Sequence, residues 1–228
     1  EGDASSGGAD ASDNSGSLTY VRIEYPGIAF APGNEINGLT GGGVGSSTVL
    51  DHIMVSRSGD DAFEFFGGTV NGKYLIAHNT YDDDFDTDFG FQGKIQFGLV
   101  KRDPNFADVS GSNGFESDND ATGSTNSPQT NPTFSNMTVV GPIQNAGDVI
   151  NVNYKRGAHL RRNTNTDIFN SVIIGYPSGI MVDGALCEAS ATANSLKVQN
   201  SIIAGHNNDF EVAVGSSFDA NAWCTTAA

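Results

Sequence analysis

The chemistry in this chain is concentrated in two acidic segments that repeat each other. Asp60, Asp61, Phe63 and Glu64 recur 22 residues later as Asp82, Asp83, Phe85 and Asp86, without a gap, and Asp84 and Asp88 extend the second segment. Carboxylates in such numbers suit three roles. They hold a hard divalent cation, since calcium takes roughly 6 to 8 oxygen ligands at about 2.3–2.6 Å and tolerates irregular geometry. They act as a general acid and base, which needs two carboxyls at a set separation with one pKa raised. Or they form a solvated charged face. Magnesium fits less well, because it keeps its waters and rarely uses a crowd of carboxylates. The run from Asp84 to Gly90 alternates like a calcium loop, but its glycine comes one place late and no Glu stands at the twelfth position, so it is not an EF-hand. A third acidic group, Glu116, Asp118 and Asp120, either completes the same site or binds separately.

Charge narrows the partners. Among 228 residues, 11 Lys and Arg stand against 27 Asp and Glu, a net charge of −16, which argues against nucleic acid or an anionic membrane surface. No apolar run reaches the roughly 20 residues of a membrane helix, so no membrane span is expected, and no signal segment opens the sequence. The acidic, Asn- and Gly-rich composition suits an extracellular or cell-surface protein, where Cys187 and Cys224 either pair or remain two separate buried thiols. The four histidines, His52, His78, His159 and His206, lack metal-ligand spacing. The glycine-rich stretch from Gly38 lacks the Lys-Ser/Thr of a phosphate loop and reads as a flexible connection.

The elements that must position the acids are strands. Residues 1–17 contain no apolar side chain larger than Ala and read as a flexible linker, with a single domain over 18–228. From Leu18 onward, seven short β-rich runs recur, beginning at Leu18, Val49, Lys73, Lys94, Pro132, Asp167 and Leu196, with no long amphipathic helix between them. Three of them share one frame in which Asn136, Asn170 and Asn200 hold the same place, and His52 stands at the equivalent point of an earlier run. Asn tolerates a left-handed backbone, and stacked Asn side chains can bond from one turn to the next. Asn136 also opens a glycosylation sequon, but its place in the frame predicts that it is packed.

This repeated frame resembles the right-handed parallel β-helix superfamily of pectate lyases and polygalacturonases. The segments SGDDAFEFFGG and YDDDFDTDFGFQG look more narrowly like secreted or lipid-anchored β-helix proteins of Gram-negative bacteria for which no reaction is established. The resemblance implies an all-β solenoid of about seven coils with long inter-coil loops. Of the polygalacturonase motifs only the Asp60-Asp61 pair is similar, with no Gly-His-Gly and no Arg-Ile-Lys. A lyase of this superfamily would pair calcium with an Arg or Lys base, for which Lys94, Arg102, Lys155, Arg156, Arg161 and Arg162 are the candidates. The stretch from Tyr154 to Arg162 reads more naturally as a strand edge or a salt-bridged turn.

In a solenoid, 22 residues make one small coil, so the two acidic segments stack. Asp82, Asp84, Asp86 and Asp88 are expected on one face, with Asp60 beside Asp82 and Glu64 beside Asp86 at about 4.8 Å. Phe63, Phe65, Phe66, Phe85, Phe89 and Phe91 are expected inside, while Tyr20, Tyr25, Tyr81 and Trp223 are candidates for a sugar-binding surface. Like charges at that separation repel by roughly 1 kcal/mol per pair even in bulk water. The expected compensation is Ca2+ held by Asp60, Asp61, Glu64, Asp82, Asp83, Asp84, Asp86 and Asp88. The function this implies is a non-catalytic calcium-binding surface or matrix module whose partners are polysaccharide or neighbouring surface proteins. The alternative is a calcium-dependent lyase or hydrolase acting on acidic polysaccharide.

Overall fold

A computed structural model describes residues 6–28 and 36–226. The chain winds as a parallel β-helix. Its first turns alternate one long and one short strand: β1 (Ser17–Glu24) and β2 (Leu39–Gly42), β3 (Val49–Ser56) and β4 (Phe63–Phe66), β5 (Asn71–His78) and β6 (Phe85–Asp88). Later turns split the long strand in two: β7 (Lys94–Gln96) and β8 (Leu99–Lys101) precede β9 (Phe115–Ser117), and β10 (Thr133–Ser135) and β11 (Thr138–Val140) precede β12 (Arg156–Leu160). The same pattern gives β13 (Asp167–Phe169), β14 (Val172–Ile174) and β15 (Ser178–Val182). The helix α1 (Ala185–Thr192) follows, then β16 (Lys197–Gln199), β17 (Ile202–Ala204), β18 (Asn208–Val212) and a closing helix α2 (Ala220–Thr226). The long and split strands form an 11-stranded sheet, and the short ones a seven-stranded sheet in the order β18-β15-β12-β9-β6-β4-β2. Every pairing between strands is parallel.

The recurrent Asn frame marks a bend in the first sheet. Asn136, Asn170 and Asn200 have φ of 57°, 50° and 53°, and His52 has 53°. Tyr20, Tyr74 and Phe97 occupy the equivalent place in the other turns with φ of 56°, 56° and 62°. The left-handed residue carries the corner, and the residue after it turns inward, as Ile53, Leu75 and Met137 do, while the one before it stays outside, as Lys73 does. Asn136 is exposed at this corner rather than packed.

The core is a column of stacked identical positions. The ring pairs Phe63–Phe85 and Phe85–Phe115 have centroids 5.1 and 5.8 Å apart, and beside them Phe65, whose register partner is Thr87, stacks on Phe91, from the turn residues that follow, at 4.6 Å. Strand alternation corrects two expected members of that column. Phe66 shares the outward parity of Glu64, and Phe89, at a left-handed corner after β6, is 54% exposed. The glycine stretch from Gly38 is also corrected, because Leu39–Gly42 is strand β2, paired in register with β4. A Cβ on Gly41 would lie 2.8 Å from the Phe65 ring.

At the N-terminal side, residues 10–16 run along the first turn, with Ser46 and Val49 donating their backbone N–H groups to the carbonyls of Ala11 and Gly16. Strand β1 begins at Ser17. At the other end α2 packs Trp223 against Phe218 and closes over β16 and β18. Cys187 and Cys224 are both free thiols, Cys187 buried. The aromatics Tyr20, Tyr25, Tyr81 and Trp223 do not gather on one surface, since Tyr81 packs on Phe106 and Trp223 belongs to the closing helix.

Because Phe85 contacts the rings of three neighbours, Phe85→Ala is expected to cost about 3–5 kcal/mol in chemical denaturation. A loss below about 1 kcal/mol would show that the ring column is not the main store of stability.

Candidate functional site

The acidic residues converge on the outward face of the seven-stranded sheet. Parallel pairing in register places Thr40, Glu64, Asp86, Glu116 and His159 in one row, one residue per turn. The row alternates with buried Phe63, Phe85 and Phe115, so the inward rings fix the outward direction of the acids. Just before each strand a second row runs beside the first: Asp61, Asp83 and Asn113. Here the backbone of one turn binds the side chain of the turn before it, with Asp83 N–H donating to Asp61 Oδ1 at 2.8 Å, Asn113 N–H to Asp83 Oδ1 at 2.5 Å and Arg156 N–H to Asn113 Oδ1 at 3.2 Å. This ladder locks the carboxylates while leaving them clustered.

Three groups of carboxylates each bring one oxygen per residue within 4.8 Å of the others: Asp60, Asp61 and Asp82; Asp61, Glu64 and Asp86; and Asp83, Asp86 and Glu116. Asp61 and Asp86 each belong to two groups, so the three form a continuous ridge along the solenoid. Asp61 is 6% and Asp83 4% exposed. One oxygen each of Asp82 and Asp86 is buried with no hydrogen-bond partner. A buried carboxylate oxygen without a partner bears the full desolvation cost.

Burial, followed by repulsion from neighbouring acids, pushes Asp61, Asp83 and Asp86 well above the ordinary carboxylate range. Burial likewise raises Asp82 to about 7, although Ser110 donates to it, and Asp88 to about 6, although the Phe89 N–H opposes the shift.

Two expected members of the set lie apart from the ridge. Asp84 points into the solenoid, because β6 starts only at Phe85 and the chain bends at Asp84, breaking the alternation that Asp82 and Asp86 suggest. There it is fully buried against Arg102, whose Nη1 donates to Asp84 Oδ1 at 2.9 Å, whose Nη2 donates to the Asp82 carbonyl at 2.7 Å, and whose guanidinium lies 5.0 Å from the Tyr154 ring centroid. Tyr176 donates to its other oxygen at 3.2 Å. Burial holds the Asp84 carboxyl above its ordinary value against the pull of Arg102. Asp88 faces outward at the end of the strand and accepts from the Phe89 N–H, and it enters none of the three groups.

The third acidic stretch divides. Glu116 completes the ridge. Asp118 takes Arg161 Nε and Nη2 at 2.8 and 3.0 Å and Arg162 Nη1 at 2.9 Å, and Arg161 also pairs with Glu116. Asp120 caps its own loop, where donors from Ser124 and Thr122 hold its carboxyl well below the ordinary range. The basic stretch 154–162 thus supplies salt bridges, as its sequence suggests, and it delivers them to the edge of the acidic ridge. His159 sits there as well, with Nε2 2.9 Å from Asp183 and Nδ1 3.5 Å from Glu116. Of the other candidate bases, Lys94 opens β7 in the other sheet and Arg102 is locked on Asp84.

The family model for a pectate-lyase-like beta helix domain matches residues 1–227. The chain belongs to this family. No curated protein and no solved structure matches it. For this pectate-lyase-like β-helix the wound parallel sheets and the family match agree, and the acidic ridge is the feature of the fold richest in convergent chemistry. Among the described residues no helix is long and apolar enough to cross a membrane.

The raised carboxyls fix the sign of the pH dependence. Between about pH 4, where the unfolded chain ionises, and pH 7, the folded metal-free protein holds protons that the unfolded chain releases. Metal-free stability is therefore expected to fall as pH rises through that window, and the melting temperature in chelator to be higher at about pH 5 than at about pH 7.5. Melting temperatures in chelator that rise across that interval would show that the ridge carboxyls are not held protonated.

Proposed function

We propose that this protein is a calcium-holding β-helix module of the cell surface or extracellular matrix, in which the cation locks adjacent turns and presents the solenoid to polysaccharide or neighbouring surface molecules. The observation that carries the reading is the ridge itself: three overlapping carboxylate groups, with buried, unpartnered oxygens on Asp82 and Asp86. At neutral pH such a site needs either protons or a cation, and an all-oxygen, irregular donor set suits calcium over zinc or magnesium. The basic groups at its edge favour a holding role, since Arg161 is committed to Glu116 and Asp118, and His159 lies between Asp183 and Glu116. The extracellular placement is supported by the acidic, Asn- and Gly-rich composition.

The same edge supports a second reading, a calcium-dependent lyase or hydrolase acting on acidic polysaccharide, because Arg161 adjoins the group of Asp83, Asp86 and Glu116. Incubation with uronate polymers separates the two. Unsaturated product that disappears with chelator and with Arg161→Gln would establish the lyase, and its absence is expected for the module.

Saturating calcium is expected to stabilise the fold by about 4 kcal/mol at roughly 1,000-fold excess over Kd, a rise of roughly 10 °C in Tm at about pH 7.5. Asp61→Asn combined with Asp86→Asn should abolish the calcium response and raise Tm in chelator. The amide introduced by Asp61→Asn keeps an acceptor for the Asp83 N–H, and the buried repulsion is relieved. An unchanged calcium response in the double variant would contradict the ridge as the site.

A further inference from the structure

Beneath the acidic ridge the chain departs from its own repeat at two places, and the departures meet. Register aligns Gly38, Ala62, Asp84, Gly114, Gly157 and Gly179 in one row, which ends at the exposed Asp209 of the last turn. The row faces the core: a Cβ would lie 2.3 Å from the Val55 side chain at Gly38, 2.3 Å from Ile173 at Gly157 and 2.7 Å from Ile203 at Gly179. Asp84 alone carries a charged group inward there. The second departure is Arg102. Its register equivalents Tyr25, Arg57, Asn79, Gly175 and Gly205 all have left-handed backbone, with φ between 54° and 77°, and the Arg57 side chain is 38% exposed. Arg102 leaves that conformation, and its side chain is fully buried against Asp84. Glycines make the room, since a Cβ on Gly141 would lie 2.5 Å from the Tyr176 ring and one on Gly114 3.2 Å from the Tyr176 hydroxyl.

A buried ion pair is weak evidence for stability, because desolvation offsets the attraction, and Arg102 Nε has no hydrogen-bond partner. What the pair does hold is the bend at residues 82–84. Arg102 Nη1 donates to the Asp84 carboxylate at 2.9 Å and Nη2 to the Asp82 carbonyl at 2.7 Å, while Tyr176 donates to the other Asp84 oxygen. Between them, Asp83 donates its N–H to Asp61 Oδ1 and accepts from the Asn113 N–H. The inner side of the bend is thus pinned from the core. Its outer side carries the carboxylates of Asp82 and Asp83, which belong to the first and third groups of the ridge.

We infer that Arg102 is a positioning residue of the ridge: through the Asp84 carboxylate and the Asp82 carbonyl it fixes the bend that sets where the Asp82 and Asp83 carboxylates stand. Its effect on cation affinity rests on the calcium reading, whereas the bend is held with or without a cation. The test compares the full wild-type protein with Arg102→Met combined with Asp84→Asn, a pair that leaves no buried charge uncompensated and keeps an acceptor for Tyr176. Residue-resolved amide exchange in chelator is expected to be about tenfold or more faster at Asp83 and Asn113 and unchanged in β3 and β13. Calcium Kd is expected to weaken about tenfold or more. Arg102→Lys keeps the countercharge of Asp84 without the planar fork, so it should share the exchange defect, and it replaces the double variant if that protein does not fold. The inference is overturned if exchange at Asp83 and Asn113 matches the wild type, or if it rises equally in β3 and β13, the mark of a role in the fold alone. Equal calcium affinity in the two proteins also overturns it. Wild-type protein that binds no calcium would overturn the calcium reading instead, and exchange in chelator would still decide the role of Arg102.

Discussion

Stacking at one strand spacing governs this molecule. A solenoid places each residue about 4.8 Å from its equivalents in the turns above and below, so whatever one turn carries is multiplied along the axis. For phenylalanine inside, and for tyrosine and histidine at the corner, multiplication adds favourable contacts. For aspartate and glutamate it adds repulsion at a separation where water screens poorly and burial removes even that.

The protein meets that repulsion in two ways and leaves a third set of carboxyls unmet, and this distribution defines the site. Asp84 is turned inward and paired with a buried arginine, and Asp118 is turned to Arg161 and Arg162. Asp61 and Asp83 are tethered by backbone N–H groups of the next turn, which orient them without neutralising them. Asp86 stands in two carboxylate groups with one buried oxygen unpartnered. The uncompensated remainder is therefore localised to the middle of the ridge, between strands β4, β6 and β9, where the column of Phe63, Phe85 and Phe115 supports it from beneath.

Much of this is legible in the chain, but unevenly. The seven apolar runs, three of them with Asn corners, are all strands of the larger sheet, whose outward face is itself partly apolar and so reads as a continuous β signal. The smaller sheet, which holds the acids, is visible only where two turns repeat without insertion, at Asp60 to Glu64 and Asp82 to Asp86. Its other rows are hidden by loops of variable length: Glu116 lies 30 residues beyond Asp86 and His159 a further 43 beyond Glu116, so no fixed period links them. Asp84 departs from expectation for a related reason, since two-residue alternation holds within a strand and fails at the bend before it. The left-handed corners at Tyr20, Tyr74 and Phe97 carry no sequence signal because aromatic residues rarely adopt that backbone, and the stacking of the column is what compensates the strain here.

The central claim is that the ridge exchanges protons for a hard cation. Its most direct measurement is a calcium titration by calorimetry at about pH 7 in two buffers of different ionisation enthalpy, which counts bound ions and released protons together. Saturable binding accompanied by proton release is predicted, because Asp82, raised to about 7, and Asp86, pushed by burial well above the ordinary carboxylate range, must ionise to ligate. A titration with no saturable heat and no proton release would contradict the account and leave the ridge as a protonated, purely structural seam.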